Sequence, residues 1–354
     1  MGSKTVRVLI VDDSPLVRDL IARGLSAYPG IEVVGLAGDP YEARDKIVKL
    51  NPDVVTLDVQ MPRMDGVEFL RKLMPQYPVP VVMVSSFTRD EGSTTLAALE
   101  AGAVDFVVKP TSGGPSGLPG MISELAEKIV AASTVNVSHL KKSRQQGASQ
   151  SNPTAPSVKG GPSDMLIAIG ASTGGTEAVR EALTRIPQGA PGVVVVQHMP
   201  PVFTKTFADR LNGLCALCVR EASDGDVVND GEALIAPGDM HLRIVKAQGV
   251  FKVSLNNGEK VKGHRPSVDV MMSSVAQTAG RRAVGVVLTG MGSDGANGLK
   301  QMRQAGARTL AQDEGTSVVF GMPREAFGNG GAELLVPLGD VASNVMRLVS
   351  EIGR

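Results

Sequence analysis

Cysteine is nearly missing from this chain: among 354 residues only Cys215 and Cys218 carry a thiol. Their Cys-Ala-Leu-Cys spacing has the outline of a redox pair or half a zinc site. No second cysteine pair exists and no histidine cluster lies nearby, so two reduced thiols on a helix end or strand are expected. An excess of one charge is missing too, with 36 Lys plus Arg against 36 Asp plus Glu. Nothing therefore advertises nucleic acid or an anionic membrane as partner. No apolar run approaches the ~18 residues of a membrane span. The first residues lack the basic region, apolar stretch and cleavage site of a signal peptide, and Val6 spoils the myristoylation pattern that a Met-Gly start suggests. A cytoplasmic protein without membrane insertion is expected. What is present is a 42% hydrophobic fraction on a chain too long for one ordinary domain, which implies two domains of unequal size.

In the first part, Val6 to Val11 is a nearly continuous apolar strand ending in adjacent carboxylates, Asp12 and Asp13. Further β-like runs at Glu32 to Ala37, Val54 to Leu57, Val79 to Val84 and Val104 to Val108 alternate with helix-like segments such as Pro15 to Leu25 and Tyr41 to Leu50. Strands alternating with helices predict an α/β, doubly wound parallel sheet, with its site at the carboxyl ends of the strands. Those ends carry Asp12 and Asp13, then Asp58, Ser85 and Lys109. Clustered carboxylates form a hard-oxygen site suited to Mg²⁺, and a lysine beside them can neutralise a phosphoryl group. Each residue alone reads as a solvated strand-end polar group; convergence from four strands does not.

With Met61-Pro-Arg-Met-Asp-Gly66 after Asp58 and the Lys109-Pro110 pair, this part resembles the receiver domain of response regulators, a flavodoxin-like fold. The resemblance implies that Asp58 accepts a phosphoryl group from a histidine kinase, that Asp12, Asp13 and Asp58 hold Mg²⁺, and that Ser85 and Lys109 contact the phosphoryl group. Receiver limits of 1–131 follow. Over 132–163 the apolar periodicity stops and Ser, Gln, Gly and Pro take over, the composition of a flexible linker that cannot bury a core.

The second part opens on Met165-Leu-Ile-Ala-Ile-Gly170-Ala-Ser172-Thr-Gly174-Gly175, a buried-looking strand running into a tight turn and a helix. Gly170, Ser172 and Gly174 fit the G-x-S-x-G pattern of a nucleophile elbow. A phosphate-cradling loop and a purely structural turn whose serine caps the helix have the same small residues. Four histidines are candidates for a base. His139 falls in the linker, and His241 and His264 lie in irregular, glycine-punctuated segments that read as surface. His198 follows the apolar run Gly192 to Val196 and so shares a sheet edge with Ser172. A further strand, Ala283 to Leu288, runs into Thr289-Gly-Met291-Gly-Ser-Asp294-Gly295, where Asp294 can orient an imidazole and the backbone around Gly290 to Gly292 can supply donors to an oxyanion. The order Ser, His, Asp differs from that of the α/β-hydrolases.

Six segments in order, Gly170-Ala-Ser-Thr-Gly-Gly-Thr-Glu, Gln197-His-Met-Pro-Pro201, Ala236-Pro-Gly, Arg265-Pro-Ser-Val-Asp269, Leu288-Thr-Gly-Met-Gly-Ser-Asp-Gly295 and Gly321-Met-Pro323, resemble the catalytic domain of chemotaxis protein-glutamate methylesterases, the CheB family. The likeness covers 164–354 and implies a second doubly wound, mainly parallel, Rossmann-like domain. It implies hydrolysis of glutamate γ-methyl esters, and deamidation of glutamines, on methyl-accepting chemoreceptors. The implied residues are Ser172, His198 and Asp294 as the triad, with the Met291 backbone N–H as oxyanion donor and no metal in the ester step. Thr173 and Arg265 are expected at the substrate cleft. Two other classes of function stay in view: a non-enzymatic regulator, and a nucleotide-binding output domain using Gly170 to Gly175.

Overall fold

The computed structural model describes residues 5–86, 89–110, 117–135 and 160–353. The chain divides into two compact units, Met1–Gln146 and Gly147–Arg354. Residues 136–159, with His139, lie outside the described residues. Residues 160–163 pair with the 228–230 loop, Gly160 N–H donating to Asp230 O and Ser163 N–H to Val228 O.

In the first unit five strands, β1 (Val6–Val11), β2 (Ile31–Ala37), β3 (Val54–Asp58), β4 (Val81–Ser85) and β5 (Asp105–Val108), form one parallel sheet in the order β2-β1-β3-β4-β5. Helices Pro15–Ser26, Pro40–Leu50 and Gly66–Gln76 start behind the side-chain caps Ser14, Asp39 and Asp65, the first two with proline at the opening position where its missing N–H costs nothing. Strand β4 starts two residues later than expected. Pro80 has no N–H for a ladder, and only its carbonyl is used, by Val55 N–H.

In the second unit, β6 (Leu166–Ala171), β7 (Gly192–Gln197), β8 (Cys218–Glu221), β9 (Glu232–Ile235), β12 (Ala283–Val287), β13 (Arg308–Gln312) and β14 (Leu334–Val336) form a seven-stranded parallel sheet ordered β14-β13-β12-β6-β7-β9-β8. Every residue of β6, β7, β9 and β12 is buried, as a parallel sheet covered on both faces requires. Burial of each large aliphatic side chain here is worth roughly 1.5–3 kcal/mol. The antiparallel part is a hairpin, β10 (His241–Ala247) and β11 (Val250–Asn256), joined through Gln248 and Gly249, both at positive φ. Both units are thus α/β, as expected. No described helix is long and apolar enough to cross a membrane.

In each sheet the strand order reverses beside its first strand, between β1 and β3 and between β6 and β12. Crevices open at the carboxyl ends at such points, which is where ligands bind in open α/β sheets. The candidate residues lie there in both units.

Candidate active site

Strands β12, β6 and β7 are neighbours, so the turns that follow them converge. Ser172 N–H donates to Thr289 O at 3.0 Å, and His198 N–H to Ala171 O at 3.1 Å, locking the three turns together. Gly174 sits at φ 74 before the helix Gly175–Thr184, and a Cβ there would lie 2.5 Å from Val318 Cβ. Only glycine fits that position without strain. The Thr289 hydroxyl donates to Thr173 O at 3.0 Å and accepts from Val319 N–H at 2.9 Å. Gln197 Nε2 donates to Ser172 O at 2.9 Å. Buried polar groups thus hold the serine turn by its backbone carbonyls.

His198 joins the side chains. Its Nδ1 lies 3.1 Å from Ser172 Oγ, and its Nε2 lies 2.8 Å from Asp294 Oδ2. With Nε2–H donating to the carboxylate, Nδ1 is left as acceptor for the serine hydroxyl. The nitrogens are exchanged relative to the serine proteases, where Nε2 faces the serine, but the roles they fill are the same. Asp294 is 1% exposed, yet it is held far below the usual carboxylate range. Burial pushes it upward, but the bond and charge of His198 and the backbone N–H groups of Asp269 and Val268 outweigh that. The carboxylate is therefore ionised wherever the protein is folded near neutrality.

The oxyanion side is formed by the turn after β12. A Cβ at Gly290 would lie 2.8 Å from Ser172 Cβ and 2.3 Å from Met322 Sδ, so only glycine permits this approach. Gly290 N–H is used by Val319 O at 3.1 Å, whereas the N–H of Met291 has no partner among the described residues.

The other residues singled out in the sequence have the following surroundings. The Arg265 guanidinium is occupied by Asp239 Oδ1 at 2.6 Å and by the carbonyls of Asn257 and Gly258, each at 2.8 Å, so it knits loops together. Thr173 is buried, and its carbonyl is the group that Thr289 holds. His241 is not a surface residue: it is 3% exposed, with Nε2 donating to Glu259 O at 2.8 Å and Nδ1 accepting from Ser267 N–H at 3.2 Å. Nor is His264 merely peripheral. Its ring stacks on that of His198, centroids 3.8 Å apart and planes 13° apart. It is carried by a tight turn in which Lys262 and Gly263 both take positive φ. Cys215 and Cys218 are both free, and burial pushes the Cys215 thiol up to about 12, so it is unreactive.

In the first unit, Asp12, Asp13 and Asp58 offer oxygens that all lie within 4.8 Å of one another. Lys109 Nζ stands 2.8 Å from Asp12 Oδ2 and 2.9 Å from Asp58 Oδ1. Burial pushes Asp58 up to about 6, Lys109 opposing and the charges of Asp12 and Asp13 adding. One ammonium does not balance such a cluster, which suits it to a divalent cation. Ser85 is fully buried, its hydroxyl 2.7 Å from that of Thr95.

Comparison with known proteins agrees with this geometry. Residues 167–345 match the CheB methylesterase family and 8–114 the response regulator receiver domain. A protein-glutamate methylesterase/protein-glutamine glutaminase of Syntrophotalea carbinolica is 57% identical over 348 residues, 98% of this chain and 99% of the relative. One so named from Shigella flexneri is 50% identical over 98% of this chain and 97% of its own length. The crystal structure of the Thermotoga maritima CheB methylesterase catalytic domain matches with TM-score 0.51 and 37% identity, over 54% of this chain and all of that one. The chain therefore belongs to the CheB family, the protein-glutamate methylesterase/protein-glutamine glutaminases, with a methylesterase domain behind a response regulator receiver domain.

Proposed function

We propose that the chain hydrolyses glutamate γ-methyl esters, and deamidates glutamines, on the cytoplasmic helices of methyl-accepting chemoreceptors, by way of Ser172, His198 and Asp294. The observation that carries this reading is the unbroken hydrogen-bonded chain from Ser172 Oγ through both nitrogens of His198 to a carboxylate that stays ionised. Ser172 Oγ attacks the ester carbonyl as its proton passes to His198 Nδ1, and Asp294 stabilises the imidazolium so formed. The negative charge on the former carbonyl oxygen is met by the Met291 N–H. Collapse expels methanol, or ammonia from glutamine, which takes the proton back from Nδ1. Water then attacks the acyl-serine by the same route and releases glutamate.

Asp58 is the residue we assign to phosphorylation by a histidine kinase, and phosphorylation raises the esterase rate. Asp12, Asp13 and Asp58 would hold Mg²⁺, which when bound supplies charge neutralisation for the phosphoryl oxygens. Lys109 is placed to pair with one of those oxygens. Ser85 is assigned to the same group; its hydroxyl can accept from Thr95 while giving its proton to a phosphoryl oxygen.

The decisive experiment incubates the protein with methylated receptor peptides and follows loss of the methyl group by mass spectrometry. Loss at glutamate supports the reading; peptides that keep their methyl groups alongside a folded, phosphorylated protein contradict it. A fragment starting at Gly160, chosen because residues 160–163 pair with the 228–230 loop, tests the control. It should be faster than the unphosphorylated full chain and indifferent to phosphodonor.

A further inference from the structure

Ser267, Val268 and Asp269 have no part in the steps above, yet they surround Asp294. Ser267 is fully buried and caps the helix Val268–Thr278. Its hydroxyl has one proton to give, and Asp294 Oδ1 is 2.8 Å away, the ordinary length of a good O–H···O bond. Its acceptor side meets Val270 N–H at 3.4 Å, a long and weak cap. The same helix start directs Val268 N–H to Asp294 Oδ2 at 2.7 Å and Asp269 N–H to Oδ1 at 3.0 Å. Gly295 N–H adds a contact to Oδ1 at 3.1 Å. Oδ1 is therefore anchored by Ser267, Asp269 and Gly295, leaving Oδ2 to face His198 with Val268 beside it. The backbone of Ser267 is itself fixed by His241 Nδ1 at 3.2 Å.

We propose that Ser267 is a positioning residue for ester hydrolysis, acting through Asp294: its hydroxyl prevents the carboxylate from turning and so keeps His198 aimed at Ser172. This rests on the triad assigned under the proposed function. Four of the five donors on Asp294 are backbone amides or His198 itself; the Ser267 hydroxyl is the one that substitution removes cleanly. Its loss has two consequences beyond disorder. Turnover falls, because the imidazole spends less time aligned. The carboxylate also becomes a stronger partner for the imidazolium, so the acid limb of the rate profile moves to higher pH. The titratable groups facing His198 are Asp294 and the stacked His264, with Asp269 and its ion-pair partner Lys262 behind them. Of these, Asp294 is the one that the Ser267 hydroxyl bonds, so the change in the profile is read through that carboxylate.

The test uses the full-length protein with Ser267→Ala, Ser267→Thr and, as reference, Ser172→Ala. Ser267→Ala is expected to lower kcat by about 10- to 100-fold, the range supplied by one hydrogen bond to a charged group, with KM within about twofold. Its acid limb should move upward, and Ser267→Thr, which keeps the hydroxyl, should recover most of the rate. If Ser267→Ala melts earlier but keeps kcat and its pH profile, Ser267 is only a helix cap and the proposal is overturned. It is equally overturned if threonine is as slow as alanine while folded. Should alanine fail to fold, Ser267→Cys, of similar volume with a weak donor, must show the same kcat loss and pH shift in smaller measure, and wild-type behaviour there contradicts the idea. Activity surviving in Ser172→Ala would instead bring down the triad reading itself.

Discussion

Asp58 and Asp294 are buried to nearly the same degree, 3% and 1% exposed, Asp58 ending β3 and Asp294 lying in the turn after β12, each strand at the reversal point of a parallel sheet, yet their carboxyl groups are pushed in opposite directions. Burial favours protonation of both. Around Asp58 it prevails, because Lys109 is shared with Asp12 and the neighbouring carboxylates repel; the group rises to about 6. Around Asp294 it is overcome by the bond and charge of His198 and by the backbone N–H groups of Asp269 and Val268, within a set of five donors that Ser267 and Gly295 complete. Donor supply, not depth, decides the charge. The first site is left short of positive charge, which suits it to a cation. The second is complete before substrate arrives, as a group that must hold an imidazole in one orientation should be.

The contrast can be broken by substitution, beginning with the largest effect. Ser172→Ala should lower turnover by ~10⁶ while the protein stays folded by circular dichroism, because the serine is the centre toward which the finished site is built. A variant retaining a tenth of the wild-type rate is incompatible with that. Asp294→Asn should cost roughly 10⁴ in kcat, since the amide can present an N–H to His198 and favour the wrong tautomer. Steady-state kinetics on methylated peptide measure both. Asp58→Asn acts on the unfinished site: with a small phosphodonor and Mg²⁺, the hydroxylamine-labile label should vanish, and with it a stimulation of about 5- to 150-fold, the span of ordinary coupling free energies. Label persisting in the variant would place the phosphoacceptor elsewhere.

The smallest effect is thermodynamic. Asp294 binds its proton more weakly when folded than when unfolded, where aspartate titrates near ~4. The unfolded chain therefore takes up protons first as pH falls, and the stabilisation from this carboxylate is fully present above that value and lost below it. The stability difference between wild type and Asp294→Asn, read from chemical denaturation, should shrink as the pH falls below about 4. A difference that grows below about pH 4 contradicts the donor cage.

Much of this arrangement was legible in the residue order. Central strands announce themselves by unbroken apolar runs such as Gly192 to Val196, and their carboxyl ends by the polar residue that follows, which located Ser172, His198, Asp294 and Asp58. The margins were not legible. Cys218–Glu221 and Leu334–Val336 are only four and three residues long and partly exposed, too short for any periodicity to show. His241 looked like a surface residue because its burial depends on partners 18 and 26 residues away, Glu259 and Ser267. His264 was missed for a similar reason, since only folding lays its turn over His198. Ser267 did carry a signal: a serine directly before the apolar Val268 to Val275 segment reads as a helix cap. That reading locates the helix start but not the carboxylate it encloses.

The most direct measurement is the rate at which a fluorophosphonate labels Ser172, followed by mass spectrometry in the wild type and in His198→Gln. An activated hydroxyl gives a single adduct on the Ser172 peptide in the wild type, and labelling slowed by at least about a hundredfold in the variant, in keeping with the contribution of a positioned general base. Equal labelling rates in the two proteins, or an adduct at any other serine, would contradict nucleophilic catalysis by Ser172.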